Sequence, residues 1–250
     1  MNRLKLMLSF LTRIPVGKIK YSEDKFEKSI NLTSIVGVII GLILLLVSMC
    51  LKTLENRLVV GFILTLTYIF ITGGLHLDGL SDSFDGLFSG RNKERILEIM
   101  KDSRVGAFGV LSLILIVIGY TIFLGESNYV AIFIMPIVGR CNLYIVSKIS
   151  VYGKEAGLGK IFVEKGATKN CLTMFITVNL LCVIICIITS NFIAILGLLV
   201  SYIVVIKLVK FTETKIDGVT GDILGMIVEI SQISWLISSY ILINVIGVVK

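Results

Sequence analysis

Seven long apolar segments constrain what this chain can fold into. Each is about as long as a helix that crosses the ~30 Å hydrocarbon core of a bilayer. We predict transmembrane spans at residues 34–51, 58–76, 105–124, 129–147, 171–189, 192–209 and 223–248. Only 16% of the 250 residues are charged, against about 25% in an ordinary soluble domain. The sequence therefore predicts an all-α, polytopic integral membrane bundle in which residues 1–250 form one domain.

The basic residues predict how this bundle is oriented. Of the 24 Lys and Arg residues, 20 lie in four alternate segments, which are residues 1–33, 77–104, 148–170 and 207–222. By the positive-inside rule, these segments and the N-terminus face the cytoplasm, and the protein is a multi-pass component of the cell (inner) membrane. Anionic lipids and phosphate groups account for the net charge of +7, so no nucleic-acid partner is expected.

The first residues form a weaker apolar stretch from Leu4 to Val16, which is too short to span a bilayer. We predict an interfacial helix or a segment tucked into the bundle that ends at Pro15. Zinc sites with several histidines are excluded because His76 is the only histidine of the chain.

Acidic, basic and glycine residues are concentrated between residues 73 and 109. Asp78, Asp82 and Asp85 are spaced four and three apart, which places them within about 60° of one another on a helix. Three like charges on one face repel unless a cation lies among them, and carboxylate oxygens suit Mg²⁺. Arg91, Lys101 and Arg104 follow as candidates for binding phosphate oxygens. This pattern predicts a metal and phosphate site at the cytoplasmic edge of the membrane.

Two further groups of polar residues lie later in the chain. Thr220 and Asp222 precede the last span, where either could cap its helix. Arg140 and Glu229 lie inside spans, and we expect them to face the bundle interior. Their sequence positions leave two interpretations open, a structural ion pair or a polar cavity that accepts a substrate.

Four motifs resemble those of the cobalamin synthase family, over nearly the whole chain. They are FLTRIP (10–15), GGLHLDGLSDSFDG (73–86), MKDSRVGAFG (100–109) and GVTGDILG (218–225). The second and third together are the more specific part. The last departs from the expected pattern, because Gly218-Val219 replaces a pair of glycines.

The resemblance implies a membrane-bound, Mg²⁺-dependent transferase. Adenosylcobinamide-GDP would react with α-ribazole, or with its 5′-phosphate, to give adenosylcobalamin, or its phosphate, and GMP. The aspartates of the central motif, Asp78, Asp82 and Asp85, would then hold Mg²⁺, and one of them or His76 would take the proton of the attacking hydroxyl. The residues that the motifs and their flanks suggest for substrate binding are Arg13, Arg91, Lys101, Asp102, Arg104, Thr220 and Asp222.

Glycine-rich spans permit close helix packing, in the chain itself or in a homo-oligomer, through Gly37 and Gly41 or Gly106 and Gly109. An association with other cobalamin-assembly enzymes is a further expected partnership.

Two other classes of protein compete with this interpretation. The spacing of Asp82, Asp85 and Arg91 is similar to that of CDP-alcohol phosphotransferases, which make phospholipids, but the remaining aspartates of that pattern are missing here. Arg140 and Glu229 within spans would also suit a secondary transporter. A transporter needs a path to both faces, whereas this chain concentrates its acidic groups at one.

Overall fold

The structure is a computed structural model that describes residues 2–154 and 157–246. Twelve helices follow one another in this part of the chain, joined by short loops. They are α1 (Asn2–Leu11), α2 (Glu23–Glu27), α3 (Thr33–Cys50), α4 (Arg57–Thr72), α5 (Leu75–Leu87), α6 (Lys93–Ile99), α7 (Ala107–Glu126), α8 (Tyr129–Ile149), α9 (Leu158–Lys165), α10 (Lys169–Ile188), α11 (Phe192–Ile216) and α12 (Gly221–Ile246).

Six helices in the described part are long and apolar enough to cross a membrane, namely α3, α7, α8, α10, α11 and α12. The helix α4 meets the same test only together with α5, which is bent from it by 92°. Counting this pair as one span gives seven, so the predicted polytopic helical bundle is confirmed. The last two residues of the predicted seventh span, 247 and 248, lie outside the described residues.

Two helices differ from the prediction. The second predicted span runs to residue 76, whereas α4 ends at Thr72 because Gly73 and Gly74 both adopt positive φ angles, of 63° and 71°. The second difference is α11, which continues to Ile216, although residues 207–222 were expected to form a loop. Beyond residue 209, where the predicted span ends, the helix carries Lys210 and Lys215. Lysine is a good helix former, and Lys215 lies in the last turn, where a positive charge is favourable.

The centre of the bundle is formed by α8 and α12. About three quarters of their best membrane-spanning windows are buried, 78% and 72%, against 22–44% for the other four long helices. Close approach of α3 to α8 depends on Gly37 and Gly41, where an added Cβ would collide with the backbone of Pro136 and Phe133. Those two glycines therefore pack helices within the chain. Pro136 itself lies inside a continuous α8.

One end of the bundle gathers the four basic segments of the sequence, and we call it the basic end. Lys93 contacts Asp217 at 2.9 Å, Lys154 contacts Asp222 at 3.0 Å, and Lys165 approaches Glu27 at 3.7 Å. Each of these pairs joins two different segments, which shows that the four basic segments lie together at one end. That this end faces the cytoplasm stays a prediction.

The N-terminal segment is tucked into the basic end, which is one of the two arrangements that its sequence allows. Leu6, Met7 and Leu11 on α1 are buried. Phe10 stacks on Phe162 of α9 with ring centroids 5.7 Å apart. The segment therefore belongs to the core at this end of the bundle.

Candidate active site

The helix α5 carries the three aspartates of the central motif. Asp78, Asp82 and Asp85 follow one another along it at helical spacing. The two glycines before Leu75 turn α5 by 92° away from α4. Left-handed backbone at two successive positions strongly favours glycine, so the motif's Gly-Gly pair permits the bend that carries the aspartates away from the axis of α4.

A close contact between α5 and α12 brings Asp222 to this helix. A Cβ added at Gly79 would lie 2.6 Å from the backbone oxygen of Asp222, and one added at Gly225 would lie 3.1 Å from that of His76. The charge of Asp82 interacts with those of Asp78, Asp222 and Asp85, and Lys154 opposes them. We call Asp78, Asp82 and Asp222 the acidic cluster.

Lys154 reaches the acidic cluster through a short backbone pairing. The amide of Gly153 donates to the carbonyl of Val219 at 2.8 Å, and the amide of Val219 donates to that of Val151 at 3.0 Å. This pairing places the Lys154 ammonium 3.0 Å from the Asp222 carboxylate, with both side chains mostly buried. Burial and the charge of Asp222 raise the pKa of the neighbouring Tyr152, so its hydroxyl stays protonated and can donate.

A cavity of about 470 Å³ opens beside these residues. Its polar wall includes His76, Asp78, Lys101, Lys154 and Asp222. Phe10, Leu11 and Phe162 contribute apolar surface, and several glycines bring backbone to the wall. The volume falls in the range of small-molecule sites, about 300–1,000 Å³. Carboxylates and ammonium groups around one cavity can bind a phosphate ester together with a divalent cation.

Asp85 binds to the start of α7 and is not among the residues that line the cavity. Its two carboxylate oxygens accept hydrogen bonds from the amides of Gly106, at 2.6 Å, and Gly109, at 2.8 Å. These are amides at the start of α7, where a negative charge stabilises a helix. An added Cβ at either glycine would collide with this carboxylate. Asp85 thus attaches α7 to α5, and its role as a metal ligand stays a prediction.

Metal binding by the predicted aspartates is likewise a prediction. Within residues 2–154 and 157–246, no group of three or more His, Cys, Asp or Glu side chains has an arrangement that could hold a metal ion. Mg²⁺ usually takes one or two carboxylates and completes its shell with water and substrate phosphate. Asp78 and Asp82 supply such oxygen donors, in a cluster where negative charge is in excess.

The other predicted substrate-binding residues are dispersed around the basic end. The guanidinium of Arg104 donates to both oxygens of Asp102, and these hydrogen bonds lower the pKa of Asp102 to about 2. Arg91 lies in a separate, open depression of about 770 Å³. The side chain of Arg13 covers Gly73, and the buried Thr220 accepts a hydrogen bond from the amide of Ile223 at the start of α12.

Lys154 and Tyr152 are site residues that the sequence did not single out. The sequence predicts a flexible basic loop over residues 148–170 that could cover a phosphorylated substrate, without assigning a role to any one of its residues. Residues 155 and 156 of this loop lie outside the described part. The one local feature that could have pointed to Lys154 is its position just before two glycines, Gly157 and Gly159. This feature does not predict that Lys154 pairs with Asp222, because Asp222 lies 68 residues further along the chain.

Arg140 and Glu229 belong to a second group of polar residues, deep in the bundle. Tyr68 and Tyr120 donate to the two carboxylate oxygens of Glu229 at 2.7 and 2.5 Å. Arg140 donates to Gln232 at 2.5 Å, and the side-chain amide of Gln232 donates to both tyrosines. We call these five residues the buried network. In this network Arg140 is connected to Glu229 through Tyr68 and Gln232. The arrangement is therefore neither of the two that the sequence left open, a direct ion pair or a polar cavity.

Fold and site together define a polytopic helical membrane protein with an acidic, lysine-bearing cavity at one end. A model of the cobalamin-5-phosphate synthase family matches residues 3–240. The chain belongs to this family, and the resemblance seen in its motifs is confirmed.

Curated relatives carry the name adenosylcobinamide-GDP ribazoletransferase. That of Clostridioides difficile is 37% identical over 97% of this chain and 98% of its own length. That of Alkaliphilus oremlandii is 33% identical over 98% and 100%, and that of Acetivibrio thermocellus is 37% identical over 96% and 98%. No solved structure matches the chain significantly. Membership in this family decides against the phospholipid-synthase and transporter interpretations.

Proposed function

We propose that this chain joins adenosylcobinamide-GDP to α-ribazole, or to α-ribazole 5′-phosphate, and releases GMP. The names of its relatives supply the reaction. The structural observation that supports the proposal for this chain is the cavity beside the acidic cluster. Asp78 and Asp222 line the same cavity as Lys101 and Lys154, and these groups together can bind a diphosphate and a divalent cation.

The reaction is a phosphoryl transfer at the phosphorus that bears the cobinamide. A ribose hydroxyl oxygen of α-ribazole forms the new P–O bond, the bond between the two phosphates breaks, and GMP leaves with the bridging oxygen. The hydroxyl proton passes to a carboxylate of the acidic cluster. Such a transfer needs alignment of the reactants and neutralisation of charge more than covalent help from the protein.

Lys101 and Lys154 line the cavity and serve as phosphate-binding residues. Lys154 is paired with Asp222 and would exchange this carboxylate for a phosphate oxygen when the substrate binds. Asp78 and Asp82 would hold Mg²⁺, which when bound supplies positive charge to the diphosphate.

GMP release from adenosylcobinamide-GDP by the purified protein in detergent tests the proposal. We expect release that depends on α-ribazole or its phosphate and that stops when EDTA removes Mg²⁺. No ion gradient exists in detergent, so turnover there is incompatible with a pure carrier. If CMP were released from CDP-diacylglycerol and no GMP from adenosylcobinamide-GDP, the proposal would be wrong.

We further propose that the basic end faces the cytoplasm, where nucleotides are available, in the cell membrane. The positive-inside distribution of charge supports this orientation. The chain itself supplies a probe, because Cys50 is exposed at the opposite end of the bundle while its other four cysteines are buried. A membrane-impermeant maleimide added to intact cells should label Cys50 and not the Cys50→Ser variant. Labelling only after the cells are opened would contradict the orientation.

A further inference from the structure

The only histidine of the chain lies where the cavity meets the buried network. His76 is 6% exposed, lies two residues after the bend between α4 and α5, and forms part of the cavity wall. Its Nδ1 lies 3.3 Å from a terminal nitrogen of Arg140. One residue thus contacts the substrate cavity on one side and the buried network on the other.

The contact with Arg140 determines where the imidazole carries its proton. A guanidinium group has five N–H donors and no acceptor. Nδ1 of His76 must therefore accept in this contact, since a proton on Nδ1 would face the N–H of Arg140. With Nδ1 unprotonated, the hydrogen of the ring is on Nε2.

Arg140 is itself held in place, so this assignment does not depend on a mobile side chain. Arg140 is 1% exposed and donates to Gln232 at 2.5 Å and to Tyr68 at 3.5 Å. Both partners are fixed to Glu229 by the other hydrogen bonds of the buried network. The orientation of His76 is thereby linked to α4, α8 and α12 at once.

The second ring nitrogen is free to act on a ligand. Nε2 of His76 has no hydrogen-bond partner in the part of the chain that the structure describes. It lies on a different edge of the ring from the nitrogen that meets Arg140, and His76 lines the cavity next to Asp78. An N–H donor in such a wall fits an acceptor oxygen of the bound substrate, from a phosphate or a ribose.

We propose that His76 is a hydrogen-bond donor to substrate oxygen through Nε2–H, and that Arg140 is the positioning residue that fixes this tautomer. The substrate part rests on the proposed function, whereas the tautomer does not. The role differs from that of a general base, which the sequence left open for His76, because a ring whose Nδ1 is engaged and whose Nε2 is protonated has no free lone pair to accept a proton.

Nuclear magnetic resonance can observe the tautomer directly, because a ¹⁵N-histidine-labelled sample of the full chain in nanodiscs contains a single imidazole. We expect a protonated Nε2 and an unprotonated Nδ1 in the wild-type protein. In Arg140→Gln the Nδ1 resonance should move, and in Arg140→Lys, which retains a donor, it should stay closer to the wild-type position. A proton on Nδ1, or on both nitrogens, in the wild-type protein overturns the proposal, even if the enzyme releases GMP normally.

A pair of variants tests the donor role. A glutamine at position 76 can place its amide N–H near the position of Nε2, whereas an asparagine reaches only as far as Nδ1. We expect kcat/KM for GMP release to stay within about tenfold of wild type in His76→Gln and to fall about 100-fold in His76→Asn. Equal losses of 100-fold or more in two well-folded variants would indicate a general base and overturn the donor role. Absence of GMP release from the wild-type protein would instead refute the proposed function.

Discussion

The cavity at the basic end and the buried network are both polar, but they differ in how their groups are satisfied. In the buried network, Glu229 accepts from two tyrosines and Gln232 connects them to Arg140. Its one positive and one negative charge balance. Around Asp82, the other carboxylates, Asp78, Asp222 and Asp85, act against the single ammonium of Lys154. Asp78 and Asp222 line the cavity together with Lys101 and Lys154, and open space adjoins them.

This difference shows how a binding site can be distinguished from a structural polar core in a membrane protein. A buried charge is tolerated when hydrogen bonds satisfy it internally. Charged groups that border open space, as the aspartates and lysines of the cavity do, are instead available to a cation or a charged ligand from outside the protein. Changes at the cavity should therefore affect turnover first, whereas changes in the buried network away from the contact of Arg140 with His76 should mainly affect stability.

The largest effect is expected for Asp82→Asn. This change removes the charge at the centre of the acidic cluster with almost no change of shape, and loss of such electrostatic stabilisation costs on the order of 10³-fold in turnover. GMP release should fall accordingly, while the melting temperature in detergent stays the same. Glu126→Gln, at an exposed carboxylate on the opposite end, is the matched control and should keep full activity. Unchanged Mg²⁺-dependent turnover of a folded Asp82→Asn would contradict the site.

Gly79→Ala should have the next largest effect. The added methyl group would meet the backbone oxygen of Asp222 at 2.6 Å, so α5 must move from α12 and the acidic cluster must open. A displacement of about 1 Å near reacting groups costs about 100-fold in rate, measured as kcat/KM for GMP release. Gly119→Ala is the control, because its methyl group meets only the flexible end of Ile233. Equal activities of the two variants would show that the contact is not needed.

Lys154→Gln should act mainly on binding. The change removes one charge-assisted hydrogen bond, about 1.5 kcal/mol, which corresponds to about a tenfold increase in KM for adenosylcobinamide-GDP. Steady-state kinetics should show this increase with little change of kcat. Lys148→Gln alters an exposed lysine six residues earlier and should leave KM unchanged. A large loss of kcat with unchanged KM would place Lys154 in the chemical step instead.

The smallest effect on turnover is expected for Glu229→Gln, which changes the buried network and leaves the cavity intact. Loss of this carboxylate leaves Arg140 without its counter-charge, which should lower the free energy of unfolding by about 3 kcal/mol. A lower melting temperature in detergent would report this, with GMP release at low temperature within a few-fold of wild type. A loss of turnover as large as that of Asp82→Asn would abolish the distinction between the two regions.

The spans and the grouping of basic loops could be predicted from the sequence because both depend on composition over long windows. The ends of α3, for example, lie one residue from the predicted limits. The 92° bend between α4 and α5 could not be predicted from composition. Gly73 and Gly74 indicate a break between helices, but the angle depends on how α5 packs on α12 through Gly79 and Gly225.

The site was predictable only as far as its residues are local in sequence. Asp78, Asp82 and Asp85 attract attention by their spacing, yet Asp85 attaches α7 while Asp222, from the other end of the chain, joins the other two. Which aspartates belong to the acidic cluster depends on contacts between residues that are far apart in the sequence, such as the hydrogen bond from Gly109 to Asp85. Lys154 depends in the same way on the pairing of Val151 with Val219, which no local pattern indicates.

The buried network also has a consequence for how the protein is made. Arg140 precedes its partner Gln232 by 92 residues, and at a synthesis rate of about 5–20 residues per second this gap lasts roughly 5–18 s. During that interval the helix that accepts the hydrogen bonds of the Arg140 guanidinium has not yet been made, so this group would have no partner inside the membrane. Insertion of α8 must therefore be completed late, together with α12, and the cavity, whose Asp222 arrives on the same helix, forms only when the last span is in place.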